Sequence, residues 1–387
     1  MIGWRSQPTL RRDGNMSIVD KLWHISWSLV LLITLISSIG FMMLYSASNG
    51  NLEPWAIKQI MRFGFGLGVM FFVALIDIRF WMRQSYVIYA GALVLLVAVE
   101  LFGTIGMGAQ RWINLGLFQL QPSEVMKISL ILALARYFHG ATYEEVGRPL
   151  FLVPPMLMVF VPAGLVLKQP DLGTAILLVL GSATIFFLAG VRIWKFALVT
   201  FGGIAMIPVA WHFLRDYQKD RILIFLNPEE DPLGAGYHIT QSKIALGSGG
   251  LFGKGFMQGT QSHLNYLPEK QTDFIFTMLS EEFGMLGGLA LIGLYILLLF
   301  YGYAIAMRSR SHFGRLVTLG FTSSFFLYVF INTAMVMGLL PVVGVPLPLV
   351  SYGGTAMLTL LFGFGLVMGC YVHRDVLIGR RGASDDI

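Results

Sequence analysis

The chain has 387 residues, of which 56% are hydrophobic and only 12% charged, with a mean hydropathy of +0.71. Soluble domains carry about 25% charged residues, so the composition excludes a water-soluble protein and defines an integral membrane protein. The net charge of +6 is then read loop by loop rather than as a nucleic-acid footprint, and the one cysteine, Cys370, excludes an intrachain disulfide.

The first 26 residues carry Arg5, Arg11, Arg12 and Lys21, and an apolar run begins at Trp27. Ser46-Ala47-Ser48 looks like a small-residue cleavage site. The run before it, about 18 residues, is longer than the roughly 7–15 of a signal segment, so a retained first membrane helix is expected. Membrane helices need about 20 mostly apolar residues. Hydropathy places them near 27–47, 56–77, 81–102, 123–138, 149–167, 172–190, 194–213, 274–305, 315–338 and 352–371. The expected fold is an all-α polytopic membrane protein of about ten transmembrane helices, with one long extracytoplasmic loop (215–273) between helices 7 and 8. Residues 1–26 and 372–387 form cytoplasmic ends around a 27–371 membrane domain.

Orientation follows from basic residues. One set of short loops holds Arg79, Arg83, Arg136, Arg148, Arg192, Lys195, Arg308, Arg310 and Arg315, and the tail adds Arg374, Arg380 and Arg381. The opposite short loops hold little beyond Lys58, Arg111 and Lys168. The positive-inside rule puts both termini in the cytoplasm. The two halves lack the matched broken segments of an inverted-repeat transporter. The eighth span, from Asp273 to Met307, is roughly 52 Å long at 1.5 Å per residue, against about 30 Å of hydrocarbon. It is expected to tilt strongly, to bend near Gly284 or Gly287-Gly288, or to project beyond the bilayer.

Polar groups collect at the outer ends of the spans: Glu100, Arg111, Gln121, Glu124, Lys127, Lys168, Gln169, Asp171, Asp273 and, deeper, Glu281 and Glu282. At such depth they face a bundle interior or a wet cavity, or pair with one another for structure. Gln121-Pro122-Ser123-Glu124 is a helix start, with Pro in the first turn and an acid complementing the dipole. That leaves Lys127, one turn deeper, unexplained. Arg111 and Lys127 together suit a phosphate or diphosphate, or else pair with Glu124 or Asp171. Lys168-Gln169-Pro170-Asp171 opens another helix, with Asp171 in its first turn. Gly247–Gly255 does not satisfy the phosphate-loop pattern, which needs Gly at Ser248 and a hydroxyl at Gly255; its glycines fit turns and close backbone approach. His238 and His263 have no metal-ligand spacing. A divalent ion bound through phosphates leaves little sequence trace. Asp273 reads equally as a helix cap, with Thr272 the other cap candidate, and as an ionised general base at a cavity edge.

Several motifs occur in order: Gly108-Ala109-Gln110-Arg111-Trp112, Gln121-Pro122-Ser123-Glu124, Gln169-Pro170-Asp171-Leu172-Gly173-Thr174 and Asp231-Pro232-Leu233-Gly234-Ala235-Gly236-Tyr237-His238. Gln241-Ser242-Lys243-Ile244-Ala245, Thr272-Asp273-Phe274-Ile275-Phe276 and Gly344-Val345-Pro346-Leu347-Pro348-Leu349-Val350-Ser351-Tyr352-Gly353-Gly354 follow. Together they resemble the SEDS family (shape, elongation, division and sporulation), most of all its rod-shape branch, over nearly the whole chain past residue 25. The resemblance implies a ten-helix peptidoglycan glycosyltransferase of the bacterial cytoplasmic membrane that polymerises lipid II. It implies Asp273 as the essential acid, and Arg111, Gln121, Glu124, Lys127 and Asp171 around an outer cavity. It also implies a class B penicillin-binding protein and the membrane proteins of the elongation machinery as partners. Mg or Mn at the diphosphate is compatible with such a reaction. A lipid-linked precursor flippase and a scaffold for cell-wall synthases are the competing readings, and neither needs Asp273 as a base.

Overall fold

The computed structural model describes residues 17–379, except 107–108, 115, 117–118, 214–215, 228–230, 232–234, 265 and 268. The 1–16 segment, Gly108, Arg215, the Pro232–Gly234 part of the loop motif, and Arg380 and Arg381 of the tail therefore lie outside the described residues.

A short α1 (Ile18–Trp23) precedes α2 (Trp27–Ala47), α3 (Ala56–Leu75) and α4 (Ile78–Phe102). Three short strands, β1 (Thr104–Gly106), β2 (Ala109–Asn114) and β3 (Gln119–Leu120), follow. Then come α5 (Pro122–His139), α6 (Tyr143–Gly147), α7 (Pro149–Lys168), α8 (Leu172–Leu188) and α9 (Ile193–Phe213). The long loop carries α10 (Asp216–Leu226), α11 (Ala235–Ser248) and α12 (Thr260–His263), and the chain ends with α13 (Ile275–Arg308), α14 (His312–Val336) and α15 (Gly354–Val372).

Seven of these helices, among the described residues, are long and apolar enough to cross a membrane: α2, α3, α4, α7, α13, α14 and α15. The shorter apolar helices α8 and α9 fall where spans were expected. The remaining expected span is α5, whose 18 residues include Glu124, Lys127 and Arg136. It is buried on nearly every side, packed by α4, α7, α8, α14 and α15. A helix enclosed by other helices can carry polar groups that lipid would reject, so low hydropathy here marks the centre of the bundle. The count of about ten spans therefore stands as an approximate one.

Two connections expected as loops carry regular structure, and the first of them adds strands to the helical fold. The 103–122 connection folds as an antiparallel sheet in the order β1-β2-β3, with Ile105 opposite Gln110 and Ile113 opposite Leu120. The 215–273 segment holds three helices, and α11 packs against α13. The expected bend in the eighth span is at Gly284, whose φ of 66° and ψ of −164° break α13. By contrast α9 sits at the margin, with Leu198, Val199, Phe201, Ile204 and Ile207 exposed, an arrangement stable only where lipid covers it.

Candidate active site

Asp273 stands on a tight turn immediately before α13. Thr272 and Phe274 donate their backbone N–H groups to the Glu269 carbonyl, at 3.0 and 3.4 Å, and the Thr272 hydroxyl donates to the same carbonyl and to Glu269 Oε2 at 3.2 and 3.1 Å. The helix N-cap is Phe274, without a side-chain capping bond. Neither cap candidate of the sequence reading occupies that position: Thr272 is turned back into the loop, and Asp273 lies one residue too early. Three external bonds fix the turn. Asn332, fully buried, donates to the Asp273 carbonyl (2.9 Å) and to the Val345 carbonyl (2.7 Å). Ser351 Oγ donates to the Thr272 carbonyl at 2.6 Å, and the Tyr352 N–H to the Gln271 carbonyl at 2.9 Å. Gly344, at φ +72°, leaves space beside the acid: a Cβ there would lie 3.6 Å from Asp273 Oδ2.

The 341–353 strap that holds this turn also walls a cleft of about 360 Å³, counted to its open mouth, lined among others by Glu124, Lys127, Tyr328, Leu349, Tyr352 and Met357. Glu124 and Lys127 come from the first turns of α5, where Pro122 occupies the helix start as expected. Lys127 Nζ lies 2.6 Å from Glu124 Oε1 and 4.0 Å above the Tyr328 ring, and Thr359 donates to Glu124 Oε2 at 3.2 Å. Lys127 is therefore a paired cation.

Arg111, Gln121 and Asp171 form a second cluster. Asp171 caps α8, accepting from Thr174 N at 3.2 Å and Thr174 Oγ1 at 2.9 Å. Arg111 Nε stands 4.0 Å from Asp171 Oδ2 and donates to the Gln169 carbonyl at 3.2 Å, while Nη2 donates to the Pro170 carbonyl. Gln121 Nε2 reaches Asp171 Oδ2 at 3.5 Å, and its backbone N–H donates to Thr355 Oγ1 at 3.3 Å. Arg111 thus fastens β2 onto the α7–α8 turn. Among the described residues, no three or more His, Cys, Asp or Glu side chains converge as metal ligands.

Sequence reasoning missed Arg62. Its guanidinium lies over the Tyr352 ring at 4.7 Å, and Nη1 is buried without a hydrogen-bond partner. Gly354 is bare where a Cβ would stand 3.2 Å from the Arg62 guanidinium carbon. Gln59, one turn earlier and fully buried, donates to the Ser351 carbonyl at 3.0 Å and accepts from Gly353 N at 3.3 Å. The signal was available: an arginine inside an apolar span is a functional candidate by default.

The fold and this clustering define a multi-pass membrane protein with acids and cations gathered at one end of its bundle, around a strap-walled cleft. The family described as Cell cycle protein, FtsW–RodA–SpoVE, matches residues 24–375, and the chain belongs to it. It is 44% identical over 364 residues to the peptidoglycan glycosyltransferase MrdB of Escherichia coli K12, covering 92% of this chain and 96% of that one. Among solved structures, it is similar to a chain from a peptidoglycan synthase complex described as coordinating polymerization and crosslinking. That chain has a TM-score of 0.78 and 33% identity, with coverage of 90% and 98%. The rod shape determining protein RodA of Thermus thermophilus aligns with a TM-score of 0.69 and 29% identity, covering 90% and 97%.

Proposed function

We infer that this chain is a peptidoglycan glycosyltransferase that polymerises lipid II into glycan strands for cell elongation, with Asp273 as the general base. The observation that carries the assignment of roles is the placement of Asp273. It sits on a turn bonded to the same strap that walls the Glu124–Lys127 cleft. In this reading the acceptor sugar's 4-hydroxyl gives its proton to the Asp273 carboxylate as its oxygen attacks the donor's anomeric carbon. The bond from that carbon to the phosphate oxygen breaks, and the lipid diphosphate leaves with the electron pair. The resemblance implies inversion, hence one displacement.

A diphosphate is a good leaving group and needs cations more than an acid. Arg62, with a buried unpartnered Nη1 beside Tyr352 and bare Gly354, suits that role directly. Lys127 serves it only by loosening its hold on Glu124, and Arg111, Gln121 and Asp171 shape the cavity rim. Mg or Mn would enter with the substrate's phosphates.

In this reading the reaction runs on the outer face of the bacterial cytoplasmic membrane, with both termini and the 1–26 and 372–387 segments in the cytoplasm, as the distribution of Arg and Lys among the loops supports. A class B penicillin-binding protein would crosslink the product, alongside other membrane proteins of the elongation machinery. The test is polymerisation of lipid II by purified protein. A positioned base contributes about 10²–10⁴-fold, so Asp273→Asn is expected to lose at least about a hundredfold in rate while remaining folded. Full-rate polymerisation by that variant would overturn the role of Asp273, and transport of a lipid-linked sugar across liposomes without polymerisation would favour the flippase.

A further inference from the structure

The break in α13 is bridged by another part of the chain. Beyond Gly284 the amides of Met285 and Leu286 lose the Glu281 and Glu282 carbonyls that an unbroken helix would offer them. They donate instead to the Gly250 and Leu251 carbonyls, at 2.9 and 3.2 Å. The two vacated carbonyls accept from Lys254 N and Gly255 N, both at 3.0 Å. The Gly249–Gly255 stretch is thus an inserted splint that satisfies four backbone groups of a broken membrane helix. Its glycines are needed for contact: a Cβ at Gly249 would lie 2.2 Å from the Ser280 carbonyl oxygen, and one at Gly253, 2.1 Å from that of Glu282.

The side chains beside the break continue the same attachment. Glu281 is fully buried, and its carboxylate accepts from Lys254 Nζ (2.8 Å), Thr260 Oγ1 (3.2 Å), Gln261 N (2.9 Å), and Ser262 N and Oγ (3.3 and 3.2 Å). It therefore holds the first turn of α12. Lys270, buried and three residues before Asp273, donates to the Ser262 carbonyl at 2.9 Å. Burial holds its ammonium below the ordinary lysine range. On the other side, Glu282 Oε1 accepts from Ser46 of α2 at 2.5 Å and lies 3.2 Å from His263 Nε2. The half-helix from Ile275 to Phe283 consequently has Asp273 at one end and this knot at the other. The Gly284 break frees its axis from the rest of α13, so its direction is set by what is bound to it.

We propose that Glu281 is a positioning residue: with Lys254, it locks the outer segment onto the broken helix and thereby sets where Asp273 presents its carboxylate. This rests on the polymerase reading above. The chain of contacts runs from Glu281 to Ser262, from Ser262 to Lys270, and along three residues to Asp273. A displaced base lowers turnover with little effect on substrate binding, because misplacement by about 1 Å is felt mainly in the reacting geometry.

The experiment is steady-state polymerisation by full-length protein, with thermal unfolding measured alongside. Glu281→Gln is expected to lower kcat at least tenfold with KM for lipid II within twofold. Lys254→Met, whose side chain is partly exposed, should move kcat the same way by at least threefold without loss of fold. Thr260→Val, which leaves the charge pair intact, should fall less than threefold. Unchanged kcat in folded Lys254→Met, or a rise in KM that accounts for the loss in Glu281→Gln, would overturn the proposal. Failure of the unmodified protein to polymerise at all would count against the polymerase reading instead.

Discussion

Lys127 and Glu124 show how a residue's meaning changes once its neighbours are known. From sequence, Lys127 was a cation unexplained by the helix start; in the fold it is half of a buried pair, with side chains 10% and 8% exposed. Removing one partner of a buried pair leaves the other charge uncompensated, at about 3–5 kcal/mol, whereas replacing both is often close to neutral. Lys127→Met and Glu124→Gln are each expected to lower the thermal stability of the purified protein sharply. The double variant should recover much of the loss, because Thr359 and a neutral Gln can still share a hydrogen bond. Additive losses in the double variant would show that the pair is not coupled. Arg62 is the reverse case: overlooked as one charge in an apolar run, it carries a buried Nη1 without a hydrogen-bond partner. The sequence offered pairing with Glu124 or Asp171 as one of two readings for Arg111 and Lys127 but could not choose it, since Arg111 and Asp171 are 60 positions apart; Arg62 meets Tyr352 only through the packing of α3 on α15.

At the level of elements, length alone showed that α13 must tilt, bend or project, because a 34-residue helix is too long to stand upright within a bilayer. The choice of Gly284 over Gly287-Gly288 was not legible, since it depends on which residues receive the splint. Gly284 lies at positive φ, and a Cβ there would come 2.3 Å from Gly253 N and 2.6 Å from the Leu251 carbonyl. Gly284→Val therefore combines a conformation that costs about 1–3 kcal/mol for a non-glycine residue with a backbone clash. It should destabilise by at least that amount, as measured by thermal unfolding. Gly293, on the same helix with open space around it, is the control, and Gly293→Ala is expected to be neutral or slightly stabilising. Equal effects at both positions would remove the splint's role. The small sheet and α10–α12 escaped the sequence reading for a different reason. Their strands are two to six residues long, and the loop helices, four to 14 residues long, mix polar and apolar residues without a continuous apolar run of membrane length, so neither period rises above the Gly and Pro punctuation around it.

For the whole molecule, the expected spans were located to within a few residues because lipid imposes one simple demand on every segment, continuous apolar length. Sidedness rests on a different physical signal, the distribution of Arg and Lys between alternate loops, and it decides whether the cleft faces the lipid-linked substrate proposed above. Cysteine accessibility tests it in a chain whose one native cysteine, Cys370, is buried in α15. Asp220, exposed on α10, belongs to the long segment placed outside; Glu144, exposed on α6, belongs to a connection between Arg136 and Arg148 placed inside. In intact spheroplasts a membrane-impermeant maleimide is expected to label Asp220→Cys and leave Glu144→Cys unlabelled. Permeabilised membranes should expose both. The opposite pattern would put Asp273, the Gly249–Gly255 splint and the strap-walled cleft on the cytoplasmic side, where a polymerase building the wall outside the membrane has no use for them.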